Sequence, residues 1–350
     1  MKVLLTGVAG FIGSAVAKKL IDKGFEVVGI DNINDYYNPR LKYDRLQTLG
    51  INKEKAKDWG YVVKSSKWPG LTFIRLDITN KEEIDRLFHE EGFKRVVHLA
   101  AQPGVRYSIT NPQAYIENNI NGFLNILEGC RHNKVEHLVF ASSSSVYGLN
   151  GKVPFSEKDP TAHPVSLYAA TKKSNEMMAH AYSQIYGLPV TGLRFFTVYG
   201  PWGRPDMSPF LFIEGIIKGK PIKVFNNGDM LRDFTYINDI TEGISRILEV
   251  IPEGKEQWDA IEADPSSSVA PYRIYNIGNQ RPTKLLDYIS AIERAIGKEA
   301  CKEFLPMQPG DVYQTYADSS ELAKATGFQP STRLEDGIRK TVDWFKKYYN

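Results

Sequence analysis

Tyr168 and Lys172 lie four residues apart in Tyr168-Ala169-Ala170-Thr171-Lys172, a spacing that puts both side chains on one face of a helix. A tyrosine hydroxyl, with an unperturbed pKa of about 10, is a poor base at neutral pH, and a neighbouring ammonium lowers it by roughly one to three units. Upstream, the apolar run at Leu138 ends in Ala141-Ser142-Ser143-Ser144-Ser145-Val146-Tyr147-Gly148. A serine hydroxyl from that run would share the proton with a substrate oxygen. The three side chains then form an acid–base unit that removes an alcohol proton while a hydride leaves the same carbon. The Tyr/Lys spacing alone also fits an ordinary surface pair, so the reading depends on its neighbours, the serine run and a glycine-rich loop.

That loop opens the chain. The apolar strand Lys2 to Thr6 runs into Gly7-Val8-Ala9-Gly10-Phe11-Ile12-Gly13. Gly7 permits a tight turn, Gly10 lets the backbone approach a pyrophosphate and Gly13 allows the next helix to pack closely on the sheet. The amide N–H groups and the positive helix end then face the phosphates. A second strand ends at Asp31, where an acid accepts a hydrogen bond from a ribose 2′-OH and repels a 2′-phosphate, which selects NAD over NADP. Asp77-Ile78 ends a third strand and suits an adenine edge. Leu99-Ala100-Ala101-Gln102 ends a fourth, small enough to admit phosphates and ribose.

The elements that must position these residues alternate. A helix from Ile12 to Lys23, a strand from Phe25 to Ile30, a strand from Thr72 to Leu76 and a helix from Lys81 to Glu91 come first. A strand from Arg95 to Leu99, one long helix from Pro112 to His132 and a strand from His137 to Ala141 follow. A helix from Ser166 to Tyr186 and a strand from Val190 to Leu193 complete the series. Such alternation predicts an α/β fold, a doubly wound parallel sheet of the Rossmann type with helices on both faces. Residues 32–70 are polar, carry a short helix around Arg40 to Leu49 and read as an insertion or lid. Beyond residue 196 shorter elements broken by Pro and Gly indicate a smaller lobe. The expected division is a dinucleotide-binding domain over 1–196, with 233–280 returning to it, and a substrate lobe over 197–350.

Composition narrows the function. The 350 residues carry a formal charge of +3 with acids and bases interspersed, which argues against nucleic acid as a partner and for a small molecule. With two cysteines, Cys130 and Cys301, and no signal-like or membrane-spanning segment, the expectation is a reduced, cytoplasmic protein. Both cysteines are expected to be buried structural residues, and no metal cluster emerges.

On these residues the chain resembles the extended short-chain dehydrogenase/reductases, and within them the UDP-glucuronate 4-epimerase branch of the nucleotide-sugar epimerases and dehydratases. The general marks are the Thr6–Gly13 loop, Asp77-Ile78, Asn118-Asn119, the Ser143 strand end, and Tyr168 with Lys172. The narrower ones are Asp31-Asn32-Ile33-Asn34-Asp35-Tyr36-Tyr37, Ala101-Gln102-Pro103-Gly104-Val105-Arg106-Tyr107-Ser108, Arg194-Phe195-Phe196-Thr197-Val198-Tyr199-Gly200-Pro201, Arg232-Asp233-Phe234-Thr235-Tyr236 and Met307-Gln308-Pro309-Gly310-Asp311-Val312.

The resemblance implies Ser143 as the catalytic hydroxyl, Tyr168 as base, and Lys172 holding the charge and the nicotinamide ribose. It adds Ala9, Phe11, Ile12, Asn32 and Asn118 to the cofactor site. The UDP-sugar site it implies comprises Arg106, Ser143, Ser144, Ser145, Thr197, Val198, Arg204, Arg232, Gln308 and Asp311. In that set Ser144, Ser145 and Thr197 face the C5 carboxylate, and Arg204 and Arg232 offer forks to phosphate oxygens.

The related 4,6-dehydratases place Asp-Glu after the catalytic hydroxyl and the xylose-forming decarboxylases a Glu, whereas this chain has Ser144 and Ser145. Gln308 stands where galactose epimerases tend to carry Arg. The expected activity is therefore an NAD-dependent isomerase acting on UDP-glucuronate. The rivals are an epimerase of a neutral or N-acetylated UDP-hexose, a UDP-glucuronate decarboxylase, and a catalytically silent NAD-binding regulator. The long helices near 112–132 and 166–186 resemble the family's dimer-forming bundle, which implies a homodimer.

Overall fold

The first strand, Lys2–Thr6, is buried and aliphatic, and residues of that kind settle in the middle of a parallel sheet that is covered on both faces. The computed structural model describes residues 1–308 and 313–349 and places this strand at the centre of an eight-stranded sheet. From one edge the order is Tyr272–Ile277, Val190–Phe195, His137–Ser143, Arg95–His98, Lys2–Thr6, Glu26–Asp31, Leu71–Arg75 and Val62–Lys64. Every pairing is parallel except the last, where Val62–Lys64 runs antiparallel to Leu71–Arg75.

Alternation along the strands splits the core in two. Val3, Leu5, Val97, Val139 and Ile277 face one side and pack with Val16, Leu20, Ile240 and Ile244. These last four belong to the helices Phe11–Asp22 and Ile237–Ile247. Leu4, Val96, Leu138 and Phe140 face the other side with Phe88, Phe123, Leu127 and Ala179, from the helices Lys81–Glu91, Gly122–His132 and Leu167–Tyr186.

Local chemistry explains the ends of these helices. The Asn80 side chain accepts from the Glu83 N–H before Lys81–Glu91, and Gly92 ends that helix in the left-handed conformation. The Ser166 hydroxyl oxygen accepts from the Ala169 N–H at 3.1 Å, so the helix carrying Tyr168 starts at a fixed point.

The stretch expected as one long helix from 112 to 132 is broken. Pro112–Tyr115 and Gly122–His132 are α-helical, and Ile116–Asn121 between them is a π turn. That widened turn carries Asn119, whose Oδ1 accepts from the Gln102 N–H at 2.7 Å while its Nδ2 donates to Thr171 Oγ1 at 3.1 Å. The cysteines also divide against expectation. Cys130 is buried, with its thiol pushed up by burial, but Cys301 is exposed.

The remaining chain forms a small three-stranded sheet, with Leu231–Tyr236 between Thr197–Tyr199 and Pro282–Lys284, and a two-stranded sheet of Ile222–Phe225 with Lys302–Leu305. The helices Ser208–Lys218, Leu285–Ile296 and Leu334–Tyr349 accompany them. Among the described residues no helix is long and apolar enough to cross a membrane.

The glycine turn leaves no room for side chains. A Cβ at Gly13 would lie 2.0 Å from the Gly7 carbonyl oxygen and 3.0 Å from the Val8 Cα, both backbone atoms. Gly13→Ala must therefore pry the helix from the loop, at a cost of about 1–3 kcal/mol. Urea unfolding checks this, and a variant as stable as the parent would mean that loop and helix do not pack as described.

Candidate active site

The carboxyl ends of the strands open into a single cleft of about 1320 Å³. At one end lies the glycine loop. Gly7 has φ +74°, and a Cβ there would meet the Ala100 nitrogen at 2.8 Å, so only glycine fits between the two strand ends. Thr6 Oγ1 accepts from the Leu99 and Ala100 N–H groups at 3.1 and 3.0 Å. Its own proton is then left for His98 Nδ1, 2.9 Å away, and burial holds His98 neutral at about 3. The loop carrying Leu99, Ala100 and Ala101 is thereby tied to the Lys2–Thr6 strand.

Asp31 is buried at the rim. Its Oδ2 accepts from the Ala9 N–H at 3.2 Å and its Oδ1 from the Ile33 N–H at 2.8 Å. The Lys42 ammonium stands 3.7 Å from Oδ1. Gly10, Phe11, Ile12, Gly13, Asn32, Ile78 and Asn118 also line the cleft, but Ala9, Asp77 and Gln102 do not. Ala9, within the loop, is buried. Asp77, Gln102, Asn32 and Asn118 border an adjoining polar pocket of about 230 Å³. There Asp77 Oδ2 accepts from Asn32 Nδ2 at 2.9 Å.

Mid-cleft, the predicted acid–base group is assembled. Ser143 ends the strand His137–Ser143, and its oxygen accepts from the Ser145 N–H at 3.1 Å. Tyr168 sits in the first turn of its helix, beside Ser143. Lys172 follows one turn on, is buried, and donates to the Ala141 carbonyl at 2.9 Å.

The electrostatics differ from the sequence expectation. Burial raises the Tyr168 hydroxyl above its ordinary value, and the groups opposing that shift are the Ser143 hydroxyl and the Arg204 guanidinium. Lys172 is itself pulled down to about 8 by burial, and its ammonium donates to the Ala141 carbonyl. The positive end of the helix adds a further field that favours the phenolate.

At the far end, Ser144, Ser145, Arg106, Thr197, Val198, Arg204, Arg232 and Gln308 all line the cleft. Asp311 falls outside the described residues. Arg204 pairs with Asp206, its Nε 3.1 Å from Oδ1, and Tyr36 donates to Asp206 Oδ2 at 3.0 Å. Arg106 lies over the Phe225 ring at 4.6 Å, and Arg232 donates to the Tyr313 carbonyl at 2.9 Å.

The supporting roles of three groups escaped the sequence reading, although Asn119 and Arg194 stand within the quoted motifs. The first is the ion pair behind the reactive face. Glu176 lies one turn beyond Lys172, buried, and receives Arg194 Nε at 2.8 Å and Nη2 at 2.9 Å, with the Ser142 hydroxyl donating at 2.6 Å. The Tyr147 ring covers the other side of the guanidinium at 4.8 Å. The helical face 168–172–176 was a usable signal for this pair. The second is Asn119, which joins Gln102 to Thr171, whereas its neighbour Asn118 turns its amide to the Ala114 carbonyl at 2.8 Å. The third is Arg45, which has no local sequence signal.

Residues 3–278 match the model of the NAD dependent epimerase/dehydratase family. The chain is similar to Protein CapI of Staphylococcus aureus, 51% identical with 100% of this chain and 99% of the relative covered. It is also similar to the probable UDP-glucuronate 4-epimerase of Rhizobium meliloti, 42% identical with 100% and 98% covered. Among solved structures it resembles the UDP-glucuronic acid 4-epimerase from Bacillus cereus in complex with UDP-glucuronic acid and NAD. That match has a TM-score of 0.84 at 34% identity and covers 100% of both chains.

The buried pair makes stability pH-dependent. Burial pushes the Glu176 carboxyl up, but Arg194, Lys173 and Ser142 more than offset it and hold the carboxyl at about 2, below its ordinary 4.5. A depressed carboxylate contributes its full stability above the ordinary value and loses it as pH falls toward 2. Glu176→Gln is expected to cost about 3–5 kcal/mol near neutrality and progressively less below pH 4.5. Urea unfolding at roughly pH 7 and pH 3 checks this, and a pH-independent difference would rule the pair out as its source.

Proposed function

The chain belongs to the NAD dependent epimerase/dehydratase family, and from that premise we propose that it is an isomerase that inverts C4 of UDP-glucuronate to give UDP-galacturonate. The observation that carries this reading is the content of the single cleft. A glycine cradle, the Ser143/Tyr168/Lys172 group and the hydroxyls of Ser144, Ser145 and Thr197 line it together, and the two residues after Ser143 are not acids. A 4,6-elimination needs an acid and base beyond Tyr168, and neither is supplied at those positions.

The cradle fits a dinucleotide, since the Cβ atoms that other residues would place at Gly7, Gly10 and Gly13 would crowd backbone atoms at 2.8, 2.9 and 2.0 Å. Gly7, Gly10, Phe11, Ile12, Gly13 and the Asp31 carboxylate would hold it, with Leu99, Ala100, Ala101, Asn32, Ile78 and Asn118 around it. Bound there, NAD supplies reversible acceptance of hydride from the sugar carbon. Tyr168 takes the C4 hydroxyl proton and Ser143 shares that hydrogen bond. Lys172 holds positive charge beside them, and Arg204 and Arg232 grip the diphosphate while the sugar turns over between the two proton transfers. Oxidation at C4 places a ketone β to the C5 carboxylate, and such acids lose CO2 readily. Hydrogen bonds from Thr197, Ser144 and Ser145 would keep the C5–C6 bond out of line with the carbonyl π system.

The cofactor lobe is assigned to 1–196 with 233–280, and the substrate lobe to 197–350. The reading includes a homodimer formed on the helices Gly122–His132 and Leu167–Tyr186, whose Leu124, Met177 and Ile185 are exposed. It also places the protein in the cytoplasm, since free Cys301 suits a reducing compartment.

The test is an NMR spectrum of UDP-glucuronate incubated with the purified protein without added cofactor. UDP-galacturonate should appear, and preferential turnover of UDP-glucose or UDP-N-acetylglucosamine would replace this reading with that of a neutral-sugar epimerase. Tyr168→Phe should lower turnover by roughly a hundred-fold to ten-thousand-fold with little change in UDP-sugar affinity. Thr197→Val should weaken turnover and divert substrate to CO2 and a pentose 4-ketone with rising NADH absorbance. Wild-type rate without CO2 would remove Thr197 from carboxylate control.

A further inference from the structure

The insertion at 32–70 places a fully buried guanidinium between the glycine loop and the backbone that precedes Arg204. Arg45, on the helix Arg40–Thr48, is 0% exposed and makes no ion pair among the described residues. Its fork is spent on neutral oxygens. Nη1 donates to the Ala9 carbonyl at 3.1 Å and to the Tyr37 hydroxyl at 2.6 Å. Nε and Nη2 donate to the Trp202 carbonyl at 3.0 and 2.7 Å, and Nη2 also reaches the Gly203 carbonyl at 3.1 Å.

Ala9 belongs to the glycine loop, and Trp202-Gly203 is the backbone immediately before Arg204. One side chain thus bolts the cofactor cradle to the arm that presents the diphosphate-binding arginine. The arm is held under strain, since Trp202 is a non-glycine residue with φ +66°, a conformation that persists only where its surroundings over-determine it. Two of Arg45's hydrogen bonds provide that hold. The Trp202 ring, 5.0 Å from both Trp344 and Tyr348, provides the rest. The Tyr36–Asp206 bond fastens the same insertion to the arm a second time.

We propose that Arg45 is a positioning residue that couples the dinucleotide site to the nucleotide-sugar site, so that occupancy of one strengthens binding at the other. The coupling has to be reciprocal. A cradle ordered by dinucleotide fixes Ala9, Arg45 and then the Arg204 arm, and an arm fixed by a diphosphate pulls the same fork in reverse. Lysine does not reproduce this arrangement, because its three donors sit on one nitrogen and lack the planar fork whose separate nitrogens reach acceptors on both sides.

The inference rests on the nucleotide-sugar reading and is tested with UDP itself, so that sugar identity does not enter. The measurement is the rate of NAD release from the purified holoenzyme with and without saturating UDP. The parent protein should release NAD at least about fivefold more slowly with UDP. Arg45→Lys should bring that ratio close to one, and should raise KM for the sugar nucleotide about tenfold with kcat within about threefold. Failure of the parent to bind UDP in a thermal-shift assay would sink the nucleotide-sugar reading. UDP binding without any effect on NAD release, or an Arg45→Lys variant that keeps the parent ratio, overturns the coupling. Should Arg45→Lys not fold, Tyr37→Phe, which loosens the fork by one hydrogen bond, takes its place, and a ratio equal to the parent's overturns the proposal.

Discussion

The site depends on the buried pair between Glu176 and Arg194. Glu176 is on the helix that carries Tyr168 and Lys172, and Arg194 is in the sheet, in register with Ser142 on one neighbouring strand and Asn276 on the other. The pair therefore fixes a helix face against three strands at once. Two charges taken out of water in this way are favourable only with near-ideal geometry and with their remaining hydrogen bonds satisfied. Ser142 and Lys173 meet that demand at the carboxylate, while Arg194 Nη1 has no hydrogen-bond partner among the described residues and the guanidinium rests on the face of Tyr147. Because Ser142 precedes Ser143, any shift in the pair moves the serine hydroxyl relative to the phenol.

What could be read from the sequence was what is local. Gly7, Gly10 and Gly13 announce themselves because a turn, a backbone approach and a helix contact each exclude a Cβ, and Tyr168 with Lys172 because helical periodicity alone brings them together. The parallel sheet followed from alternating patterns whose strands are buried on both faces. The break at Ile116–Asn121 did not follow, since the apolar spacing of 112–132 suits a continuous helix. What widens the turn is the demand of Gln102 and Thr171 on Asn119, made by partners far along the chain. The ionisation of Tyr168 was hidden for a related reason: sequence proximity places Lys172 on the right face, but the burial that raises the phenol comes from residues far along the chain.

The segment 32–70 was read as an insertion or lid from its polarity, and the structure shows how it is fastened. Lys42 faces Asp31, Arg45 runs between two backbones, and Tyr36 meets Asp206, so these three side chains reach from the segment to acceptors elsewhere in the fold. Composition cannot distinguish polar side chains aimed at water from polar side chains aimed at carbonyls.

The sheet order also bears on how the chain is made. The strand Val190–Phe195 is flanked by His137–Ser143 on one side and by Tyr272–Ile277 on the other, so on the ribosome one of its edges stays open until residue 272 has been translated. Through that interval the nascent chain presents an apolar strand edge, a template for unwanted association, while the beginning of the smaller lobe emerges beside it. The glycine loop and all the strands from Lys2 to Phe195 precede that point. A nucleotide-competent half can thus assemble vectorially, and the last strand seals it only after the other lobe is well under way.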